Sequence, residues 1–145
     1  MAVTTNVYTI KASGGDYTTL AAWEDGRDGN LTAPGDGTIE EAVCYSLDDT
    51  SAVNITGWTT DSDNYIYIHT DSTAYHGGVW DGDKYNLVVN NGDSMLVQED
   101  YVRLDGLQIG VEAQDGANDD PLTVNTITAT NNELRISNCI IKGSG

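Results

Sequence analysis

Basic residues are scarce in this chain. Its 145 residues include 6 Lys and Arg against 23 Asp and Glu, which gives a formal net charge of −17 and a pI near 4.1. Binding to a nucleic-acid backbone depends on clustered Lys and Arg that release counterions from the phosphates, and no basic stripe is present. An anionic membrane is disfavoured for the same reason. The composition therefore predicts neither a nucleic-acid partner nor a membrane partner.

Proline and cysteine are also rare, with 2 residues of each. A hydrophobic content of 39% with so little proline predicts a folded chain rather than a disordered one, despite the large net charge. Cys44 and Cys139 lie in apolar, strand-like segments. They are too few for a disulfide framework and too far apart for a metal site. We expect two buried free thiols that pack as small hydrophobic side chains.

Long apolar runs are absent. No segment reaches the length needed to span a membrane, and the first residues, Met-Ala-Val-Thr-Thr-Asn, have neither the basic nor the apolar region of a signal peptide. We therefore expect synthesis in the cytoplasm. A chain of this length predicts one domain with one core, in which residues 1–37 hold a strand, a helix and a loop and residues 38–145 hold repeating strands.

Short strand-like segments recur along the sequence. Residues 100–109 read Asp-Tyr-Val-Arg-Leu-Asp-Gly-Leu-Gln-Ile, with apolar and polar residues alternating on both sides of the Asp-Gly break. Residues 132–141 repeat this phrase 32 positions later (133 minus 101), with Arg135 matching Arg103 and Asn138 matching Gly106. Residues 64–68 are a copy 36 positions earlier (101 minus 65). Such spacing is typical of a solenoid, so the sequence predicts an all-β fold of stacked strands.

A short helix is predicted near the N-terminus. Asp16 or Thr18 is the expected N-cap of a helix that continues through Trp23. Leu20 and Trp23 are three residues apart and share one face. A solenoid exposes apolar strand edges at its first turn, and an amphipathic helix laid across that end would cover them. Leu20 and Trp23 are therefore the predicted cap residues.

The order of these features resembles a known family. A first strand is followed by Gly-Gly-Asp-Tyr-Thr-Thr-Leu-Ala-Ala-Trp (residues 14–23), by Pro-Gly-Asp-Gly-Thr-Ile (residues 34–39) and then by short repeating strands. This order is similar to the start of right-handed parallel β-helix proteins of the pectate-lyase-like superfamily, and closer to the β-helix virion proteins of tailed bacteriophages. The resemblance spans nearly the whole chain. It implies a short right-handed parallel β-helix (solenoid) with an N-terminal capping helix.

The resemblance also implies a function. The chain would be a non-enzymatic structural component of a bacteriophage virion, such as a capsid decoration, fibre or tail protein, made in the host cytoplasm. Its partners would be other virion proteins and further copies of itself, as a trimer if it follows phage tail spikes. The last strands would leave an open end that a partner subunit or further chain covers. Family enzymes are several times longer, and a polysaccharide lyase or hydrolase, or a carbohydrate-binding fragment of one, is the alternative.

Aromatic residues are the candidates for protein contacts. Trp58, Tyr75, His76 and Trp80 are predicted at an interface because aromatic side chains are enriched there. Packing in the core or at a corner of the stack, and stacking on sugar rings, are the alternatives.

A second group is the candidate carbohydrate face. Arg103 and Arg135 occupy matching outward positions one repeat apart, with Asp105 close by. An arginine base beside acidic groups is what the resemblance implies for lyase chemistry, and a pair of surface arginines on an acidic face is the alternative. The carboxylate pairs lie in predicted turns, at Asp48 and Asp49, Asp61 and Asp63, Asp81 and Asp83, and Asp119 and Asp120. No segment has calcium-loop spacing, so we predict no catalytic residue, metal or cofactor, although these carboxylates could bind calcium.

Overall fold

The computed structural model describes residues 3–33, 38–112, 119–125 and 133–144. One α-helix, α1 (Leu20–Arg27), follows the first strand, and a short 3₁₀ turn (Ser72–Ala74) follows the fifth. The strands are β1 (Thr4–Ile10), β2 (Thr38–Cys44), β3 (Asp48–Asp49), β4 (Val53–Ile55), β5 (Ile66–Thr70), β6 (Asn86–Asn90), β7 (Met95–Val97), β8 (Val102–Asp105), β9 (Gln108–Glu112), β10 (Leu122–Val124), β11 (Leu134–Ser137) and β12 (Ile140–Lys142). Part of the loop expected before residue 38, and parts of the region of repeating strands expected at 38–145, lie outside the described residues.

Every strand pair in the described part of the chain is parallel. The strands form three sheets, with the orders β1-β2-β5-β8-β11, β10-β7-β4 and β12-β9-β6-β3. β1 and β2 are neighbours in the five-stranded sheet, and from β2 onwards consecutive strands enter different sheets, so that β2, β3 and β4 are followed by β5, β6 and β7 in the same three positions. The expected all-β class is confirmed as a set of parallel sheets with one helix.

The repeats in the sequence set the register of the five-stranded sheet. Arg135 of β11 lies opposite Arg103 of β8, which is the predicted match. Ile66 of β5 lies opposite Val102, as the earlier copy of the phrase predicted. Gly106 and Asn138 also correspond, since both have positive φ angles, of 76° and 53°, in the turns that leave β8 and β11.

Rows of apolar side chains connect the strands and build the core. In the five-stranded sheet Ala42, Ile68 and Leu104 lie opposite one another and are buried. Leu87 and Ile109 form a second buried row, and Ile55 and Val97 form a third. These rows meet in one core cluster that also contains Leu20 and Trp23 of α1. Stacking in register therefore turns the alternating pattern of each short strand into one continuous interior.

The N-cap predicted at Asp16 or Thr18 is wrong, since the helix begins at Leu20 and its N-cap lies one residue after Thr18. Thr19 is the N-cap, because its side-chain oxygen accepts a hydrogen bond from Ala22 N at 3.1 Å. The helix lies against β1, β2 and β4, with Leu20 and Trp23 fully buried.

Asp49 ties this helix to the sheets. Its Oδ2 accepts hydrogen bonds from Leu20 N at 2.8 Å and from the Tyr85 hydroxyl at 3.2 Å. The turn predicted at Asp48 and Asp49 is wrong, since both residues form β3 and the Asp49 carboxylate is buried. Turns are confirmed at Asp61, which accepts from Asp63 N, and at Asp81, which accepts from Asp83 N.

Both cysteines are free thiols. Cys44 is buried, as expected, and burial raises the pKa of its thiol far above the usual range. Cys139 is half-buried rather than buried as expected, and it packs against the core.

Candidate functional site

The outer face of the five-stranded sheet carries two rows of side chains, most of them polar or aromatic. The register places Val7, Glu41, Tyr67, Arg103 and Arg135 in one row, and Thr9, Val43, His69, Asp105 and Ser137 in the next. Successive side chains of a strand point to opposite faces, so both rows lie opposite the buried Ala42, Ile68 and Leu104. We call the two rows together the outer ladder.

The two arginines predicted from the sequence lie side by side in the outer ladder. Glu133 bridges them, with its Oε1 at 3.3 Å from Arg103 Nη2 and its Oε2 at 2.8 Å from Arg135 Nη2. The hydrogen bond from Arg135 is the main cause that holds the pKa of Glu133 below its usual range. The Arg103 guanidinium also stacks on the Tyr65 ring, 3.5 Å from the ring centre.

Asp105 belongs to the same group. Its Oδ1 accepts from Asn138 Nδ2 at 2.9 Å, and its Oδ2 lies 3.4 Å from the Tyr67 hydroxyl, which donates to it. Tyr67 stacks on the His69 ring with centres 4.4 Å apart, and His69 Nε2 lies 2.6 Å from Glu41 Oε1. These contacts join residues from β2, β5, β8 and the turn after β11 into one connected network.

A cleft of about 350 Å³ opens on this face. It is lined by Tyr65, Tyr67, Arg103, Leu104, Asp105, Arg135 and Ser137. The two guanidinium groups are balanced by the Glu133 and Asp105 carboxylates, so the formal charge of the cleft is close to zero within a strongly acidic protein. An aromatic ring beside charged hydrogen-bonding groups can hold a polar ligand by stacking and by directed hydrogen bonds.

The sequence alone identified Arg103, Arg135 and Asp105 but not their surroundings. Tyr67 and His69 stand in the earlier copy of the repeated phrase, at the positions that match Arg103 and Asp105. Aligning all three copies would have found them. Glu133 gave no such signal, because its role depends on reaching two arginines on different strands.

The residues predicted at an interface are divided between the surface and the interior. Trp58 is buried, its Nε1 donates to Glu24 Oε1 at 3.0 Å, and its ring lies 5.6 Å from Trp23. His76 is also buried, with Nε2 at 2.7 Å from Asn138 O and Nδ1 accepting from Gly78 N at 2.9 Å. Neither ring is available at the surface of the described chain.

Tyr75 and Trp80 do reach the surface. Tyr75 is exposed and lies against Gly106 beside the outer ladder. Trp80 is half-buried over the four-stranded sheet, where a Cβ added to Gly110 would lie 3.1 Å from Trp80 Cη2. Lys142 Nζ lies 5.2 Å from the Trp80 ring centre at the edge of a second cleft, of about 380 Å³.

The described residues contain neither a cluster of metal ligands nor a membrane-spanning helix. No group of three or more His, Cys, Asp or Glu side chains there could hold a metal ion. No helix there is long and apolar enough to cross a membrane.

Comparisons of the chain with protein-family models, with curated proteins and with solved structures found no match.

Proposed function

We propose that this chain is a short right-handed parallel β-helix and serves as a non-enzymatic structural component of a bacteriophage virion, acting through protein contacts. Two features support the β-helix: from β2 onwards consecutive strands enter the three sheets in turn, and the pairings of the described strands are all parallel. The N-terminal phrase and strand order that resemble phage β-helix proteins support the virion. A stack of this kind is a rigid platform because each inner strand is paired on both sides.

The observation that supports a role in protein contacts is a group of exposed apolar side chains at one end of the stack. Val124, Ile136 and Ile141 are 46%, 42% and 46% exposed and belong to β10, β11 and β12, which are edge strands of the three sheets. Each continues a buried row of the core, since Ile136 lies opposite Leu104, Ile141 opposite Ile109 and Val124 opposite Val97. We call these three residues the apolar end.

The occupant that suits the apolar end is another protein subunit with an apolar surface. Fully burying such a side chain is worth about 1.5 to 3 kcal/mol, so completing the burial of each of these contributes roughly 1 kcal/mol. A subunit that pairs with the free edges of β11 and β12 would also satisfy their backbone groups. The same rows of apolar side chains that form the core would then attach the chain to the particle.

Substitutions at the apolar end test this proposal. Ile136→Asp and Ile141→Asp place a charge where the partner would sit, and Val79→Asp is the matched control because Val79 is 73% exposed and lies in a loop. We expect the control to enter phage particles like the unmodified chain and the other two to be reduced roughly tenfold or more, as counted by quantitative mass spectrometry. Equal incorporation of all three variants, or absence of the unmodified chain from particles, would overturn the proposal.

Carbohydrate binding is a second candidate function, and the cleft of the outer ladder favours it. Tyr67 offers a ring for stacking, while Arg135, Asp105 and Ser137 offer hydrogen-bonding groups around it. Titration with neutral and acidic oligosaccharides, followed by NMR, should shift the signals of these residues, and Tyr67→Ala should abolish the shifts. Tyr45→Ala, outside the cleft, is the control. The candidate fails if millimolar sugar leaves the cleft signals unchanged.

A further inference from the structure

The free edge of β1 is the second exposed feature at the ends of the stack. β2 pairs along one side of β1. The other side is covered only near its end, where Asp16 N and Tyr17 N both donate to Thr9 O at 3.1 Å and Ile10 bridges Tyr17. In the described part of the chain, no strand pairs with that side of residues 3–7. Their outward backbone groups are therefore open to another strand.

Residues 3–7 lack the usual protection of an edge strand. They read Val-Thr-Thr-Asn-Val, with no charge and no proline in a chain of net charge −17. Edge strands are commonly guarded by lysine, proline, bulges or a covering segment, and an unguarded edge accepts a further strand. Val3 and Val7 are 44% and 53% exposed, so the edge is apolar as well as unpaired.

The surroundings of this edge also suit a second acidic copy. Two of the six basic residues lie beside β1: Lys11 follows the strand directly, and Arg27 stacks over the Tyr8 ring, where it pairs with the Glu40 carboxylate and neutralises it. The Asp16 carboxylate on the same side is engaged by the Thr9 N–H and hydroxyl, at 2.8 and 2.9 Å. Two copies can therefore approach here without bringing rows of free carboxylates together.

We propose that two copies of the chain pair through residues 3–7 as antiparallel strands, about a two-fold axis at Thr5. This register places Val3 opposite Val7 of the second copy, Thr4 opposite Asn6 and Thr5 opposite Thr5. The segment is apolar at both ends and polar between them, so it is complementary to itself, as an isologous interface requires. The five-stranded sheets of the two copies become one continuous sheet.

The pairing is weak and produces a dimer rather than the trimer that the family resemblance implies. A five-residue edge buries far less than the roughly 1,200 Å² of a stable interface, so the dissociation constant is about micromolar or higher. The pairing depends only on β1. Ile136→Asp should leave it intact, so failure of the dimer and failure of the apolar-end contact are separable.

Sedimentation equilibrium of the full chain between about 10 µM and about 1 mM tests the pairing in the expected affinity range. We expect a monomer–dimer equilibrium. Thr5→Lys sets two ammonium groups opposite each other at the axis and should raise the dissociation constant roughly tenfold or more. Thr73→Lys adds the same charge at an exposed site away from β1 and should not weaken the dimer.

Amide exchange gives a second measurement on the unmodified chain. The edge amides among residues 3–7 should be protected at high concentration and exchange freely on dilution. A monomer over the whole range, a trimer, or equal effects of the two lysine variants would overturn the proposal.

Discussion

Gly106 and Asn138 occupy equivalent turns on neighbouring strands, at φ angles of 76° and 53°. Asparagine is tolerated in the left-handed region, as at residue 138. The turn after β8 is more crowded, since a Cβ added to Gly106 would lie 2.5 Å from Thr70 Oγ1 and 3.1 Å from Tyr75 Cδ2. Glycine is therefore favoured at position 106 for two reasons: the φ angle is positive, and Thr70 and Tyr75 occupy the space that a side chain would need.

Gly106→Ala should therefore destabilise the protein more than alanine at an open turn. Gly77 has a φ of 67° and nothing within 4 Å of an added Cβ, so Gly77→Ala should cost only the backbone term of about 1 to 2 kcal/mol. Gly106→Ala adds displacement of Thr70 and should cost about 2 to 4 kcal/mol. Denaturant unfolding of both variants measures the difference, and equal losses would contradict the crowding.

Glu24 is a buried carboxyl whose environment makes stability depend on pH. Its Oε1 accepts from both Thr56 N and Trp58 Nε1 at 3.0 Å. Burial is the main cause that raises the pKa of Glu24. The stabilisation that Glu24 contributes to the free energy of unfolding is fully present below its pKa in the unfolded chain, which is about 4.3. This stabilisation is lost as the pH rises through the raised pKa of Glu24 in the folded protein.

Glu24→Gln should keep both hydrogen bonds and remove this pH dependence. The variant should gain stability relative to the unmodified protein as the pH rises from about 4 towards neutral, and the difference should then level off. Glu133→Gln provides a control of opposite sign, because its lowered pKa contributes stability that is lost on acidification. Unfolding curves measured across this pH range test the prediction. If the stability of Glu24→Gln relative to the unmodified protein falls as the pH rises, the raised pKa of Glu24 is refuted.

At the scale of elements, the helix is held by one buried carboxylate as well as by its apolar face. Asp49 accepts from Leu20 N at the start of α1, from Ser51 N at 3.1 Å and from the Tyr85 hydroxyl. The desolvation of this group raises its pKa, and the hydrogen bonds oppose that rise. The Asp49 carboxylate therefore connects the helix to two loops.

Asp49→Ala should loosen the helix. It leaves Leu20 N–H and the Tyr85 hydroxyl without their partner in the interior, for a loss of about 2 to 4 kcal/mol. Asp48→Ala, at the exposed neighbour, should change stability by less than about 1 kcal/mol. Hydrogen exchange should show lost protection in α1 for Asp49→Ala, and unchanged protection would show that the apolar face alone holds the helix.

The strands could be predicted largely because each copy of the repeat alternates apolar and polar residues. β3 could not, since Asp48 and Asp49 have the composition of a turn and form a strand only by pairing with Asn86 and Leu87 of β6. In the outer ladder, contacts that depend on strand pairing could not be predicted from the sequence either. The match of Arg103 with Arg135 is a spacing within the sequence, whereas the contact of His69 with Glu41 exists only after β2 and β5 pair.

In the molecule as a whole, the two ends of the parallel sheets differ. One end has the helix and the uncharged edge of β1, and the other has the apolar end formed by Val124, Ile136 and Ile141. The net charge of −17 keeps copies apart except where such uncharged surfaces meet. This distribution suits a protein whose contacts are made end to end, through strand edges and the rows of its core.

Cryo-electron microscopy of the assembly that contains this chain in its native source would show directly whether another subunit covers the apolar end. We expect a symmetric particle in which a neighbouring subunit covers Val124, Ile136 and Ile141. A free chain with these side chains in water, or one with a sugar chain bound along the cleft of Tyr67 and Arg135, would contradict it.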